Sequence, residues 1–256
     1  MIHVPTASWA HAVFDLLAWS GGLAVSFVLY RWRLSEAVAQ IASKTAPGYF
    51  IALVAGAIPG AWLAGSLNTL RTAAPSLSHS VAGALAGAII GVEIYKRARR
   101  ITGSTGVVFV GAFALGIVIG RLGCFFSGLA DATFGAPTTL PWAVDLGDGI
   151  GRHPVQLYES LSMAAFLAVY LAGLQRRAPW ALRRSFYALC IWYGAQRFVW
   201  EFFKPYPPVF GPFNLFHILC GGLIAYGCVY WLGDLRGERR TQERALSVPR
   251  PDHQPL

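Results

Sequence analysis

The sequence predicts an all-α, polytopic membrane protein of about seven transmembrane helices, and three observations carry that reading. Of its 256 residues 55% are hydrophobic and only 13% charged, where soluble domains carry about 25% charged residues. Mean hydropathy is +0.49. Apolar runs of about twenty residues, enough to cross a bilayer as helices, recur seven times along the chain. The few charges inside those runs are concentrated at Arg121, Arg197 and Glu201.

The elements follow in order. Residues 9–30 form the first apolar run; no positive n-region or small-residue cleavage site marks it as a secretory signal, so it is expected to stay as an uncleaved span. Segments 48–67 and 79–95 come next, the latter opening at Ser78-His79-Ser80. Segment 105–126 carries Arg121, segment 156–174 opens just after Pro154, segment 185–203 carries Arg197 and Glu201, and 213–233 closes the set. No internal repeat is visible. Residues 1–233 therefore read as one membrane-embedded unit, with 234–256 as a basic, polar tail expected to be disordered and cytoplasmic.

A net charge of +9 and a pI near 9.7 would suggest nucleic acid in a soluble protein. Here the placement of the charges matters more than their sum. Sixteen of the 21 basic residues fall on one side of the predicted spans, around Arg31, Arg33 and Lys44, Lys96 to Arg100, Arg176 to Arg184, and Arg236 to Arg250. The other side holds Arg71, Arg152 and Lys204. Lys and Arg resist translocation, so the N-terminus is expected outside and the C-terminus in the cytoplasm. The basic side should attract anionic membrane lipids; nucleic acid is not an expected partner.

An ionised side chain in a spanning helix costs at least about 2.5–3.5 kcal/mol, so it normally faces protein and marks chemistry or transport. Arg197 and Glu201 are four apart and share a helix face, as a structural ion pair or as part of a site. Arg121 has no opposite charge within a turn, so its partner lies on another helix or on a ligand. Guanidinium matches phosphate oxygens in a bidentate way, which makes a lipid phosphate a natural counter-charge. Gly116, Gly120, Gly123 and Gly128 around Arg121 either let helices approach closely or clear room for a headgroup. His79 at a helix mouth has the chemistry of a base or of a plain hydrogen-bonding residue. The run Arg152-His153-Pro154-Val155-Gln156-Leu157-Tyr158-Glu159 is densely polar for a helix start, with Glu159 placed to meet an arginine. Asp15 and Glu93 are lesser candidates, for a cavity and for the basic loop. Trp9, Trp32, Trp142, Tyr206 and Trp231 fall at helix ends, as interfacial aromatics do. Cys124, Cys190, Cys220 and Cys228 lack metal-ligand spacing and read as core residues.

Three motifs, Gly120-Arg121-Leu122-Gly123-x-Phe125-x-x-Gly128, Arg152-His153-Pro154-x-Gln156-Leu157-Tyr158-Glu159 and Tyr193-Gly194-Ala195-x-Arg197-x-x-x-Glu201-Phe202-Phe203, occur in order. In these the chain resembles the bacterial phosphatidylglycerol–prolipoprotein diacylglyceryl transferases, from about Ser78 to Phe203. The resemblance implies a seven-helix inner-membrane enzyme that moves diacylglycerol from phosphatidylglycerol to the lipobox cysteine of a prolipoprotein, with no metal or organic cofactor. It implies that Arg121 and Arg197 hold the phosphate, that Glu201 orients Arg197, and that His79 corresponds to the family's essential histidine. Gly123, Arg152, Gln156, Tyr158 and Glu159 would line the substrate site.

The chain departs from the family pattern at Cys124, Ser127 and Leu129, where two asparagines and a glutamate are expected. His79 is followed by Ser80-Val81 instead of Gly-Gly, and residues 12–15 read Ala-Val-Phe-Asp about where His-x-Tyr-Gly is expected. Asp131, two positions past Leu129, could approach the lost carboxylate's place only through an irregular loop. Two other readings therefore stand beside the family reaction: a phospholipid-dependent transferase with another acceptor, and a lipid-binding or transport protein gated by Arg197 and Glu201.

Overall fold

The computed structural model describes residues 1–70 and 77–247, the last ten by backbone alone. Arg71 thus lies outside the described residues. Helices occupy all seven predicted segments: α1 Ala10–Leu29, α3 Pro47–Thr69, α4 Val81–Ala98, α5 Val110–Ser127, α6 Val155–Gln175, α7 Ser185–Glu201 and α8 Leu215–Ser247. One further helix, α2 Ser35–Lys44, continues α1 through a π-helical turn at Tyr30–Leu34. Its polar composition hid it among the basic residues of a loop. Helix α8 runs through the start of the segment expected to be disordered, as far as Ser247; 248–256 lie outside the described residues.

Five helical stretches among the described residues are long and apolar enough to cross a membrane: Ala10–Lys44, Pro47–Thr69, Gly106–Asp131, Val155–Gln175 and Leu215–Gly237. Helix α4 carries Glu93, Lys96 and Arg97 within its 18 residues, and α7 is only 17 residues long, so these two fall outside that group. Many large apolar side chains face outward, among them Trp19, Leu23, Ile51, Ile90 and Val229. A helix that is apolar on its outer face as well as its inner one is matched to hydrocarbon rather than water.

The bundle is assembled from neighbouring pairs, α3 with α4, α1 with α5, α5 with α6 and α7 with α8. Small residues set the closest approach. A Cβ on Gly56 would lie 2.1 Å from the Gly87 carbonyl oxygen, so α3 and α4 touch backbone to backbone there. Val110, Ala114, Met163, Phe166, Tyr170, Leu189, Tyr193 and Leu223 join α5, α6, α7 and α8 in one apolar core. Ser80 caps α4 by accepting from the Gly83 N–H at 3.3 Å. At the opposite end, Glu93 meets Lys96 Nζ at 2.8 Å, and accepts from Tyr226 and Tyr230 of α8 at 2.9 and 3.0 Å.

The α5–α6 connection carries structure that no periodicity announces. Two-residue strands β1 Ile2–His3, β2 Val144–Asp145 and β3 Gly151–Arg152 form a small sheet, β1 parallel to β2 and β2 antiparallel to β3. The N-terminal residues are thereby tied to the loop that precedes α6.

Candidate functional site

Chain direction alone brings four helix ends together. The C-terminal ends of α5 and α7 lie at the same end of the bundle as the N-terminal ends of α6 and α8, because each pair is joined directly. Arg121 sits in the last turns of α5 and Arg197 in the last turns of α7, where the helix dipole favours cations; Glu159 sits early in α6, where it favours anions.

The result is a buried ionic cluster. Arg121 Nε pairs with Glu159 Oε2, and Lys204 Nζ donates to Glu159 Oε1 at 2.7 Å. Arg197 Nη1 lies 3.9 Å from Glu159 Oε1, and Arg197 Nε lies 3.7 Å from Glu201 Oε2. Lys204 Nζ is 3.8 Å from the same Glu201 oxygen. Asn214 Nδ2 donates to Glu201 Oε1 at 3.4 Å, while its Oδ1 accepts the Phe216 and His217 N–H groups and so caps α8. Arg121, Glu159, Arg197, Glu201 and Lys204 are all buried.

Two features separate this cluster from a structural salt bridge. Three cations face two carboxylates, so one positive charge is left over. Arg197 Nε and Glu201 Oε2 find no hydrogen-bond partner, and the Tyr193 hydroxyl and Gln156 Nε2 nearby in sequence are likewise buried and unpaired. A surplus of buried positive charge with unpaired polar atoms of Arg197 and Glu201 is an arrangement able to take a polar, anionic guest.

The structure thus brings together Arg121, Glu159, Arg197 and Glu201 from the sequence-predicted residues. His79 is exposed, its ring 5.9 Å from that of Trp62, and among the described residues no contact joins it to the charged cluster. Gly123 is taken up by packing, since a Cβ there would meet Phe14 Cβ of α1 at 2.6 Å. Gly116 and Gly120 instead face open space. Tyr158 accepts from Trp142 Nε1 at 2.7 Å, and its ring lies tilted against that of Trp200, 5.0 Å away. Arg152 is committed to Asp148 by two bonds of 2.5 and 2.6 Å and lies over the Phe134 ring. Lys204 was counted among loop charges; its position three residues past Glu201 was the signal for its role.

Asp148 and Asp145 belong to a second ionic group in the loop. The Arg152 hydrogen bond holds the Asp148 carboxyl below its ordinary range, and the backbone N–H groups of Gly147, Gly149 and Asp148 do the same for Asp145, helped by His3 at 2.9 Å.

Where the family pattern is broken, the replacements have their own environments. Leu129 packs on the apolar cluster of Phe125, Val144 and Leu146, so the lost carboxylate gives way to loop packing. Ser127 is buried with its hydroxyl unpaired. Cys124 accepts from Arg121 Nη1 at 3.7 Å, and Asp131 turns toward α1, pairing with His11 Nδ1 at 2.9 Å. Asp15 lies 3.3 Å from His11 Nε2.

A groove of about 710 Å³ runs along the face of α7 opposite Arg197 and Glu201, lined by Ala188, Ile191, Trp192, Ala195, Val199 and Trp200, with residues of α6 and α8 opposite; none of the clustered charges lines it. Its walls are almost wholly apolar.

Fold and site define a multi-pass, all-α membrane protein with a charged cluster buried where α5, α6 and α7 meet. Residues 16–233 match the family described as prolipoprotein diacylglyceryl transferase. The chain belongs to that family. It is similar to the phosphatidylglycerol–prolipoprotein diacylglyceryl transferases of Methylococcus capsulatus (33% identity over 157 residues, 57% of this chain and 58% of the relative) and Nitratidesulfovibrio vulgaris (34% over 160 residues, 59% and 57%). That of Desulfotalea psychrophila is 30% identical over 175 residues, 62% of each chain. The chain thus spans between half and two thirds of the length of these curated relatives. No solved structure matches significantly.

Proposed function

We propose that this protein transfers the diacylglyceryl group of phosphatidylglycerol to the cysteine thiol of a prolipoprotein lipobox, at the outer leaflet of a bacterial inner membrane. The observation that carries this reading is the surplus cation: Arg121, Arg197 and Lys204 face only Glu159 and Glu201. A phosphodiester brings one negative charge and two free oxygens, which is what the cluster lacks. Arg197, with Nε unbonded, accepts the phosphate, and Glu201 on the same helix face holds its guanidinium in position. Arg121 shares the charge that builds on the leaving phosphate as the acceptor sulfur bonds to the glyceryl carbon and the carbon–oxygen bond breaks.

In this reading all seven predicted helices cross the bilayer, with α4 and α7 tolerating their charges because those face protein. The N-terminus lies outside and the basic C-terminus in the cytoplasm. The polar end of α8, from residue 234 to 247, then serves as a membrane-surface extension.

Complementation tests the reading. Expressed in a bacterium depleted of its own diacylglyceryl transferase, the chain should restore growth and lipidation of a reporter prolipoprotein, and Arg197→Ala should not. A membrane-inserted protein that neither restores lipidation nor turns over phosphatidylglycerol would overturn it. The packing of Leu129 where the family has a carboxylate favours a second reading, transfer to another acceptor. Phospholipid turnover without lipidation of the reporter would establish that reading instead.

A further inference from the structure

Beside the charged cluster, three side chains of metal-ligating type converge from three places in the chain. His11 comes from the first turn of α1, Cys124 from the last turns of α5, and Asp131 from the short 3₁₀ turn Gly128–Asp131 that follows. One donor atom of each lies within 4.8 Å of the other two. Cys124 is 8% exposed and the Asp131 side chain 9%, while His11 is 35% exposed, so the group is buried on the α5 side and opens toward solvent at His11.

The surroundings are those of a ligand set. His11 Nδ1 points at Asp131 Oδ1, 2.9 Å away, while its Nε2 faces Asp15 Oδ2 at 3.3 Å. A second carboxylate on the far nitrogen is the usual partner of a ligating histidine, because it sets the tautomer and raises the basicity of the ligating atom. The Thr133 hydroxyl donates to Asp131 Oδ2, which orients Oδ1 toward His11 and Cys124. Arg121 Nη1 donates to Cys124 Sγ at 3.7 Å, a contact a thiolate would keep. Thiolate, imidazole and carboxylate together suit a divalent ion of the zinc class, and three protein ligands leave the fourth tetrahedral position open.

We propose that His11, Cys124 and Asp131 bind one divalent ion of the zinc class, whose open position receives the acceptor thiol. The metal site rests on these residues alone; the role in thiol activation rests on the transferase reading above. A coordinating thiol is deprotonated outright, its proton leaving to water. The bound sulfur then forms the bond to the glyceryl carbon, and the electron pair of the broken carbon–oxygen bond departs with the phosphate held by Arg121 and Arg197. No oxidant or reductant enters. Arg121 links the two centres, touching Cys124 on one side and Glu159 on the other.

The test uses the full chain in detergent, stripped with a chelator and titrated with Co²⁺ in the absence of lipid or peptide. One equivalent should bind with a thiolate-to-cobalt charge-transfer band. Cys124→Ser should lose the band, His11→Gln and Asp131→Asn should weaken binding at least about 100-fold, and Asp15→Asn should weaken it about 10-fold, as outer-shell losses do. Absence of the band in the wild-type protein, or binding unchanged in Cys124→Ser and His11→Gln, would overturn the site. Should the variants fail to accumulate, X-ray absorption of the wild-type protein loaded with Zn²⁺ decides: one sulfur near 2.3 Å supports the site, and a shell of nitrogen and oxygen alone removes it. A second sulfur on adding a lipobox-type cysteine peptide supports thiol activation, and an unchanged single-sulfur shell overturns that role. Metal binding without diacylglyceryl transfer would leave the site standing and fell the transferase reading; transfer by a metal-free protein would leave the transferase reading standing and overturn the metal's role in thiol activation.

Discussion

Two ionic groups flank the connection between α5 and α6, and they are wired in opposite ways. In the loop, Arg152 and Asp148 meet one to one through two short hydrogen bonds, and Asp145 collects three backbone N–H groups and His3. Within the bundle, three cations share two carboxylates, several contacts stretch to 3.7–3.9 Å, and Arg197 Nε and Glu201 Oε2 remain unbonded. A satisfied pair closes on itself and holds a loop. An unsatisfied, over-cationic cluster in a dry interior keeps part of its electrostatic field for something else.

The comparison can be broken most severely at Glu159, the carboxylate that Arg121, Arg197 and Lys204 share. Glu159→Ala leaves buried cations without their counter-charge and should cost about 3–5 kcal/mol of stability, read as a lowered melting temperature in detergent. Removing charge from both sides, as Glu159→Gln with Lys204→Met, should recover a good part of that loss, because the two residues are in contact and their effects do not add.

Arg197→Ala should leave the protein inserted and accumulating while phosphatidylglycerol turnover falls by about 100-fold or more, the scale of losing one preorganised donor to a developing anion. Undiminished turnover would return Arg197 to the class that Arg152 occupies. Glu201→Gln should cost less, about 10-fold, since the amide still orients the guanidinium by hydrogen bonding; a larger loss in a turnover assay would assign Glu201 a proton-transfer role.

The smallest effects belong to the loop. Asp148→Asn should leave turnover near wild type while hydrogen exchange quickens across residues 144–152. The pH response carries a definite sign. Asp145 and Asp148 have carboxyls held below their ordinary values, so the stability they lend is present above the unfolded value of about 3.9 and is lost as pH falls through the lower folded values. Protection of the loop amides, taken relative to their intrinsic exchange rates, should therefore be flat near neutrality and fall in strong acid.

The difference between the two groups also shows what kind of information each needs. Arg121, Arg197, Glu201 and Glu159 were legible in the sequence because a charge inside an apolar run is anomalous wherever it sits. Lys204 was not, because beyond the run it looks like any loop lysine; only the turn that follows α7 carries its ammonium back to Glu159. Arg152 is the opposite case. It stands in a motif with Glu159, yet the strand β3 turns it toward Asp148 and away from the cluster.

By itself the sequence determined the seven helical segments, the charge asymmetry and the family, since apolar run length, charge placement and motif spacing are properties of consecutive residues. Tertiary structure alone decided that His11, Cys124 and Asp131 meet. These residues lie on α1, α5 and the turn beyond it, and no local pattern records the packing of Gly123 against Phe14 that draws α1 onto α5. The three small strands and the one-to-three sharing of Glu159 were decided in the same way. Each depends on contacts between residues far apart in the chain, set by side-chain shape and charge across helices.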